Sequence, residues 1–355
     1  MDKSAKPTDI LIAICALILL GGALALARSV FAPVAFALFV VAIVWPLQRR
    51  LQAVLPKVLA VAISIAGTAA VIVAFGSLIA WGFSRVVRAV ISDAARLQGL
   101  YAQTADWLET HGIVLAGLWA EHFNVQWLLR WLPELMSRFN SAATFLFVVL
   151  IYVILGLLEL DDVMRKLTAS GAHTFGYVLL AGSARTATKL RRFMLVRTLM
   201  SLMTGALVWA FVASMGLDLA LEWGVIAFVL NYIPVIGPLV ATVLPTLFAM
   251  AQFASWQIAL IVFVCLNLIQ FLVGSYLEPR IAGNALSMSP FIVLFAVFFW
   301  TFLWGIGGAF IGVPIVIAIV TICEQHPSSR WFAELLGAPR DQTDETSVPL
   351  GRTRN

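Results

Sequence analysis

In the run 230–238, Leu-Asn-Tyr-Ile-Pro-Val-Ile-Gly-Pro, an amide (Asn231), a phenol (Tyr232), two prolines (Pro234, Pro238) and a glycine (Gly237) interrupt one of the most apolar regions of the chain. Such groups suit hydrogen bonding to a solute or ion. Each proline lacks an N–H and its ring clashes with a continuing helix, and the residue before it is pushed away from helical angles. A helix entering at about Leu219 is therefore expected to break near Tyr232 and turn at Gly237. At membrane depth, broken backbone is tolerated where it is buried in protein or lines a watery cavity, which makes the stretch a candidate substrate or ion site. A plain kink, or a turn outside the membrane, accounts for the same residues, and the stretch alone does not decide.

Asn267, Gln270, Gly274 and Glu278 stand at i, i+3, i+7 and i+11, which is one face of an uninterrupted helix. Amides donate and accept together, and a glycine lets another backbone approach. The functional reading is a polar track with Glu278 carrying a proton or cation. The structural one is helix-to-helix glue, with Glu278 and Arg280 as an ion pair at the inner interface, where the cost of charge in a membrane falls.

Bond-making chemistry finds no footing. There is no nucleophile with a base, no acid–base carboxylate pair and no Walker sequence, so the chain holds no ATP motor of that kind, and an intramembrane enzyme is disfavoured. Cys15, Cys265 and Cys323 lie in apolar runs and the four histidines are scattered. Neither pattern gives a disulfide framework or metal spacing, and no cofactor or metal is expected.

The elements that must position these groups are membrane helices. The chain is 62% hydrophobic and 12% charged, about half the charge of a soluble domain, with a mean hydropathy of +0.98. The net charge of +5 suits basic loops rather than a nucleic-acid face. Segment 1–82 reads as a transmembrane hairpin, Ile10–Ala27 and Val30–Trp45, followed by a third span, Val58–Trp81. Gly21 and Pro33 are expected to shape the hairpin's bend and Pro46 to stop its second arm. A cleaved signal ending at Ala27 is the alternative. Arg49, Arg50 and Lys57 place the following loop, and the N-terminus, in the cytoplasm. Segment 83–140 is amphipathic and extracytoplasmic, with Trp107, Trp119, Trp127 and Trp131 among charged residues. It reads as interfacial helices or a small outer domain, or more sharply as a ligand-binding tryptophan cluster. Segment 141–197 holds a fourth span and a basic cytoplasmic stretch; topology is sufficient to explain its run Arg185–Arg197, which could also touch anionic lipid.

Segment 198–323 is expected to be the transport core. Thr198–Met215 is the fifth span and Gln257–Tyr276 another full one. Leu219–Ile233 with Leu239–Ala251, and Pro290–Leu303 with Ala309–Ile322, are pairs of short arms. An arm of about 14 residues rises about 21 Å against a hydrocarbon core of about 30 Å. Each pair reads as a helical hairpin, the second broken at Gly305, Gly307 and Gly308. Paired interruptions in corresponding positions point to a transporter site. Residues 324–355 form a cytoplasmic tail.

The region 192–323 resembles the autoinducer-2 exporter family of bacterial predicted permeases. The resemblance is carried by Asn231 to Pro238, Leu277-Glu278-Pro279-Arg280-Ile281-Ala282-Gly283, Ser287-Met288-Ser289-Pro290 and Trp304-Gly305-Ile306-Gly307-Gly308 with Val313-Pro314. It implies a secondary, not ATP-driven, transporter that exports a small polar solute such as autoinducer-2, or a cation/proton antiporter of the same family. It also implies roughly eight spans and a homo-oligomer. Together these readings give an all-α polytopic protein of the bacterial inner membrane with both termini cytoplasmic. Asn231, Tyr232, Pro234, Gly237, Pro238, Asn267, Gln270, Glu278, Gly305, Gly307 and Gly308 would line the path. The partners would be a small polar solute, a coupling proton or cation, membrane lipid and further copies of the chain, with no nucleic acid. A non-transporting membrane scaffold is the rival class.

Overall fold

A computed structural model describes residues 7–92, 110, 125–169, 174–282, 288–325 and 329–337. Helices account for almost all of them: α1 (Pro7–Leu26), α2 (Arg28–Gln52), α3 (Lys57–Ser92), α4 (Val125–Ala169), α5 (Thr174–Ser214), α6 (Ala220–Leu230), α7 (Ile236–Phe253), α8 (Trp256–Phe271), α9 (Glu278–Ala282), α10 (Pro290–Cys323) and α11 (Arg330–Leu336). A π-helical segment, Leu272–Leu277, joins α8 to α9. Among the described residues, seven stretches are long and apolar enough to cross a membrane, with shorter apolar helices at Ile14–Leu26 and Ala220–Leu230. Large side chains such as Leu38, Phe147, Leu202 and Phe302 stay exposed, as the lipid-facing surface of a membrane bundle requires.

Several helices outrun their expected ends, because packing rewards continuation. The bend between α1 and α2 falls at Ala27, with Gly21 and Pro33 both inside helices. Pro46 does not stop α2. The helix runs on to Gln52, held there by the buried Gln48, whose Nε2 donates to the Leu157 carbonyl of α4. α3 continues past Trp81 because Phe83 and Val86 pack into the cluster of Val208, Trp223 and Ile226. α4 begins at Val125, inside the segment expected to be extramembrane, and α5 absorbs the basic run. Trp107 and Trp119 of the expected tryptophan cluster lie outside the described residues.

Two helical hairpins are present. In the first, α6 and α7 run antiparallel: the Trp223 and Phe248 rings meet at 5.5 Å, and nearer the tip Gly237 abuts the Leu230 carbonyl. At its mouth the Asp218 N–H donates to Gln252 Oε1 and Gln252 Nε2 donates to the Gly216 carbonyl. The second hairpin lies within α10, where Gly305 leaves helical geometry at φ 65°, ψ −147°. Gly308 abuts the Trp300 carbonyl, and Gly312 the Ala296 carbonyl. Pairing 300 with 308 and 296 with 312 requires the chain to fold back on itself. The arms 290–304 and 306–323 rise about 23 and 27 Å.

The hairpins enter the bundle from opposite ends. The first follows directly from the C-terminal end of α5. The mouth of the second sits at the other end, where Gly182 touches Ile322 and Lys189 donates to Glu324 at 2.8 Å. An isolated antiparallel bridge between Met288 and Gly337 also ties α11 to the start of α10. Inside the bundle the tip of the first hairpin meets the second: Ile233 and Ile236 pack against a cluster that includes Val313 and Ile317, and the Tyr232 ring lies 5.9 Å from Phe310.

Candidate substrate and ion path

The tip of the first hairpin is the five-residue break 231–235. Its tightest point is Val235, at φ 65°, ψ −58°, with the Ile236 N–H donating to the Pro234 carbonyl at 2.7 Å. This is a γ-turn of the rare, strained hand, and a β-branched residue at positive φ is an outlier. The turn was expected at Gly237, which instead lies in the first turn of α7. Its need for glycine is spatial, since a Cβ there would stand 1.8 Å from the Leu230 oxygen. Pro234 is buried and Pro238 half-buried. Pro238 falls among the first helical residues, where a missing N–H leaves no bond unmade.

The tip is held against α5 by its polar side chains. Asn231 is buried and donates from Nδ2 to Ser201 Oγ at 3.3 Å. The Tyr232 hydroxyl donates to Thr198 Oγ1 at 3.1 Å, and its ring sits among Phe75 (5.4 Å), Phe228 (5.6 Å) and Phe310 (5.9 Å). Arg197 precedes Thr198 and is buried; its Nη1 meets Glu278 Oε2 at 3.1 Å. Thr204, fully buried, carries a hydroxyl with no partner among the described residues. Arg197, Ser201 and Thr204, at i, i+4 and i+7, make a polar stripe on α5, where Ser201 meets the hairpin tip and Arg197 meets Glu278. Sequence reasoning passed over this stripe, taking Arg197 as a topology charge and the rest as an ordinary span. Its signal was hydroxyls and a guanidinium at helical spacing within apolar sequence.

The expected polar track on α8 does not hold together. Asn267 is exposed and donates to the Phe263 carbonyl of its own helix at 2.8 Å, and Gly274 is exposed with open space around it. The packed face of this region is Val262, Leu266 and Val273. Gln270 is half-buried, its Nε2 without a partner among the described residues. The π-helical segment is the reason. A π turn adds one residue to an α-helix, which rotates the residues beyond it by about 100°. Glu278 is thereby carried off the Asn267 face and onto α5.

The glycines of the second hairpin occupy a different place. Gly305 makes the positive-φ turn, Gly308 makes the close backbone crossing, and a Cβ on Gly307 would meet the Phe36 ring at 3.5 Å. Trp304 beside them donates to the Leu24 carbonyl at the end of α1. The two tips are linked through rings: Phe36 stacks on Phe310 at 6.0 Å, and Phe310 on Tyr232. Among the described residues no three His, Cys, Asp or Glu side chains gather to hold a metal ion.

Residues 11–328 match the model of the AI-2E family transporter. The chain belongs to this family. Among its relatives, AI-2 transport protein TqsA of Escherichia coli K12 is 27% identical over 312 residues, 87% of this chain and 90% of TqsA. A putative transport protein of Borreliella burgdorferi is 35% identical over 147 residues, 41% of each chain. Putative transport protein YhhT of E. coli K12 is 29% identical over 209 residues, 59% of each. As an AI-2E family member with seven apolar helices long enough to span, the chain is a multi-pass bacterial membrane transporter.

Proposed function

We propose that this AI-2E family member is a secondary transporter that exports a small polar solute, with AI-2 the first candidate, across the cytoplasmic membrane. The observation that carries the reading is the contact of the broken tip 231–235 with the polar stripe of α5. Non-helical backbone and an amide meet the buried Ser201 hydroxyl there, and the Arg197–Glu278 ion pair lies one turn away on the same helix, inside an apolar bundle. Polar and ionisable groups are costly in a membrane and mark solute paths. The path would run along Asn231, Tyr232, Pro234 and Glu278, with Gln270 beside it. Gly237 and Pro238 would shape the first tip, and Gly305, Gly307 and Gly308 the second. Asn267 drops out of the path. Its exposed amide suits contact with a second copy, in keeping with a homo-oligomer.

Charge gives the orientation. The C-terminal ends of α2 and α4, where the Trp45 indole N–H donates to Asp161, gather Arg49, Arg50, Arg165 and Lys166 at one end of the bundle. Excess Lys and Arg marks the cytoplasmic side. By that rule the N-terminus, the mouth of the second hairpin and α11 would face the cytoplasm.

A cation/proton antiporter is the second reading, favoured by the carboxylate of Glu278, whose side chain is 27% exposed. Everted vesicles distinguish the two. AI-2 accumulation that depends on the protein and collapses with an uncoupler is the expected result, and Glu278→Gln is expected to lower the initial rate at least tenfold. Vesicles that accumulate no more than protein-free controls, while sodium or potassium drives a pH change in their lumen, would replace export by antiport.

A further inference from the structure

We infer that Arg197 is a solute-binding residue: its guanidinium, held on one edge by Glu278, offers its buried Nε–H to an oxygen acceptor of the transported molecule. The assignment rests on the transporter reading above and names the chemistry its solute must have.

The ion pair comes first. Arginine stays protonated in any protein setting and carries five N–H donors in a rigid fork. The Arg197 side chain is 10% exposed, so its charge and its donors need partners. Glu278 engages Nη1 at 3.1 Å. The Nε is buried and has no hydrogen-bond partner among the described residues. A pair serving the fold alone would favour the bidentate arrangement, which satisfies two parallel N–H groups with one carboxylate. Here the guanidinium is fixed and one of its donors is left over.

The surroundings of that donor define its partner. Thr198, the next residue, receives the Tyr232 hydroxyl. One turn on, Ser201 receives the Asn231 amide. The Thr204 hydroxyl, a turn further, is buried and unpartnered among the described residues. The Phe193 ring lies 5.8 Å from the guanidinium carbon and limits approach from that side. An unpaired cationic donor and an unpaired hydroxyl therefore stand on one stripe of α5, with a hairpin tip across from them. A small, oxygen-rich solute would accept from Arg197 and exchange a hydrogen bond with Ser201 one turn on, whereas Thr204 stands about 10.5 Å from Arg197 along the helix, beyond the span of one small solute. Neutral polyols and oxyanions share that chemistry.

The test uses full-length protein and AI-2 as the probe. Arg197→Lys keeps the charge and the reach to Glu278 but removes the Nε edge. The exchanged pair Arg197→Glu with Glu278→Arg keeps an ion pair and moves the guanidinium off α5. Thermal melting of purified protein reports folding, the melting shift caused by AI-2 reports binding, and initial uptake rates report KM and the maximal rate.

The expected result is that Arg197→Lys melts close to the parent yet raises KM about tenfold, loses the AI-2 shift and changes the maximal rate little. The exchanged pair should recover most of the stability lost by Glu278→Arg alone without recovering uptake. An unchanged KM in Arg197→Lys, or full uptake in the exchanged pair, would make the pair structural and overturn the assignment while leaving the transporter intact. Should the exchanged pair not fold, Arg197→Lys decides alone. A parent that binds AI-2 through Arg197 but moves none would remove the transport reading and keep the assignment. A parent that neither binds nor moves AI-2 would overturn both for this solute. Competition by inorganic phosphate, present or absent, separates an oxyanion site from a polyol site.

Discussion

Gly307 and Gly308 are neighbours with different constraints. A Cβ on Gly308 would stand 1.8 Å from the Trp300 carbonyl oxygen, whereas one on Gly307 would meet the Phe36 ring at 3.5 Å, an ordinary contact. Backbone cannot yield as a ring edge can. Gly308→Ala is therefore expected to disrupt the second hairpin, costing about 2–4 kcal/mol by the scale of overpacked cores. Gly307→Ala should cost less than about 1 kcal/mol. Thermal melting of the two purified variants checks this, and equal loss in both would contradict the crossing at Gly308. Gly237 repeats the constraint in the first hairpin, with the same 1.8 Å approach to a carbonyl oxygen, here that of Leu230. The two tips thus share a device, a glycine whose missing side chain admits the opposing arm.

At the scale of elements, the π-helical segment decides which way Glu278 faces. Inserting one alanine between Leu277 and Glu278, just beyond the π turn, should turn Glu278 by about 100°. Asn267 and Glu278 would then share the outward face that a regular helix predicts. The expected outcome is a folded, membrane-inserted protein whose AI-2 uptake falls at least tenfold, because Arg197 has lost its carboxylate. Uptake at the parental rate would show that the register of this segment is irrelevant to transport.

Across the whole molecule, the first hairpin is tied to the N-terminal half along α3. Tyr232 lies against Phe75 of α3 near the tip. Further up, Arg85 of α3 meets Glu222 of α6 at 3.0 Å while stacking over Trp81. Glu222 is buried and Arg85 half-exposed, so removing the arginine leaves a buried carboxylate unpaired. Arg85→Ala is expected to lower the melting temperature more than Glu222→Gln, which removes the buried charge and leaves a neutral amide that is less costly to bury. The double change Arg85→Leu with Glu222→Leu should recover most of the loss. Greater damage from Glu222→Gln than from Arg85→Ala would mean that the carboxylate serves another group.

Composition by itself determined the solvent: a chain this apolar and this poor in charge must place helices in lipid, where the backbone must pair with itself. Local chemistry determined the breaks. Pro234 forbids a continuous helix through 231–235, and Gly305 supplies the positive φ of the second turn, so both hairpins were legible from residue types. The family was legible in the same motifs. Tertiary packing decided the rest, because facing and extent depend on neighbours that a linear sequence does not name. Pro46 and Trp81 fail as stops because Gln48 and Val86 find partners beyond them. Asn267 and Glu278 part company because a π turn intervenes, and no periodicity in an apolar helix announces that turn. Ser201 and Thr204 are routine in a membrane helix until a hairpin tip is folded against them, and Arg197 reads as a loop charge until Glu278, 81 residues away, is brought beside it.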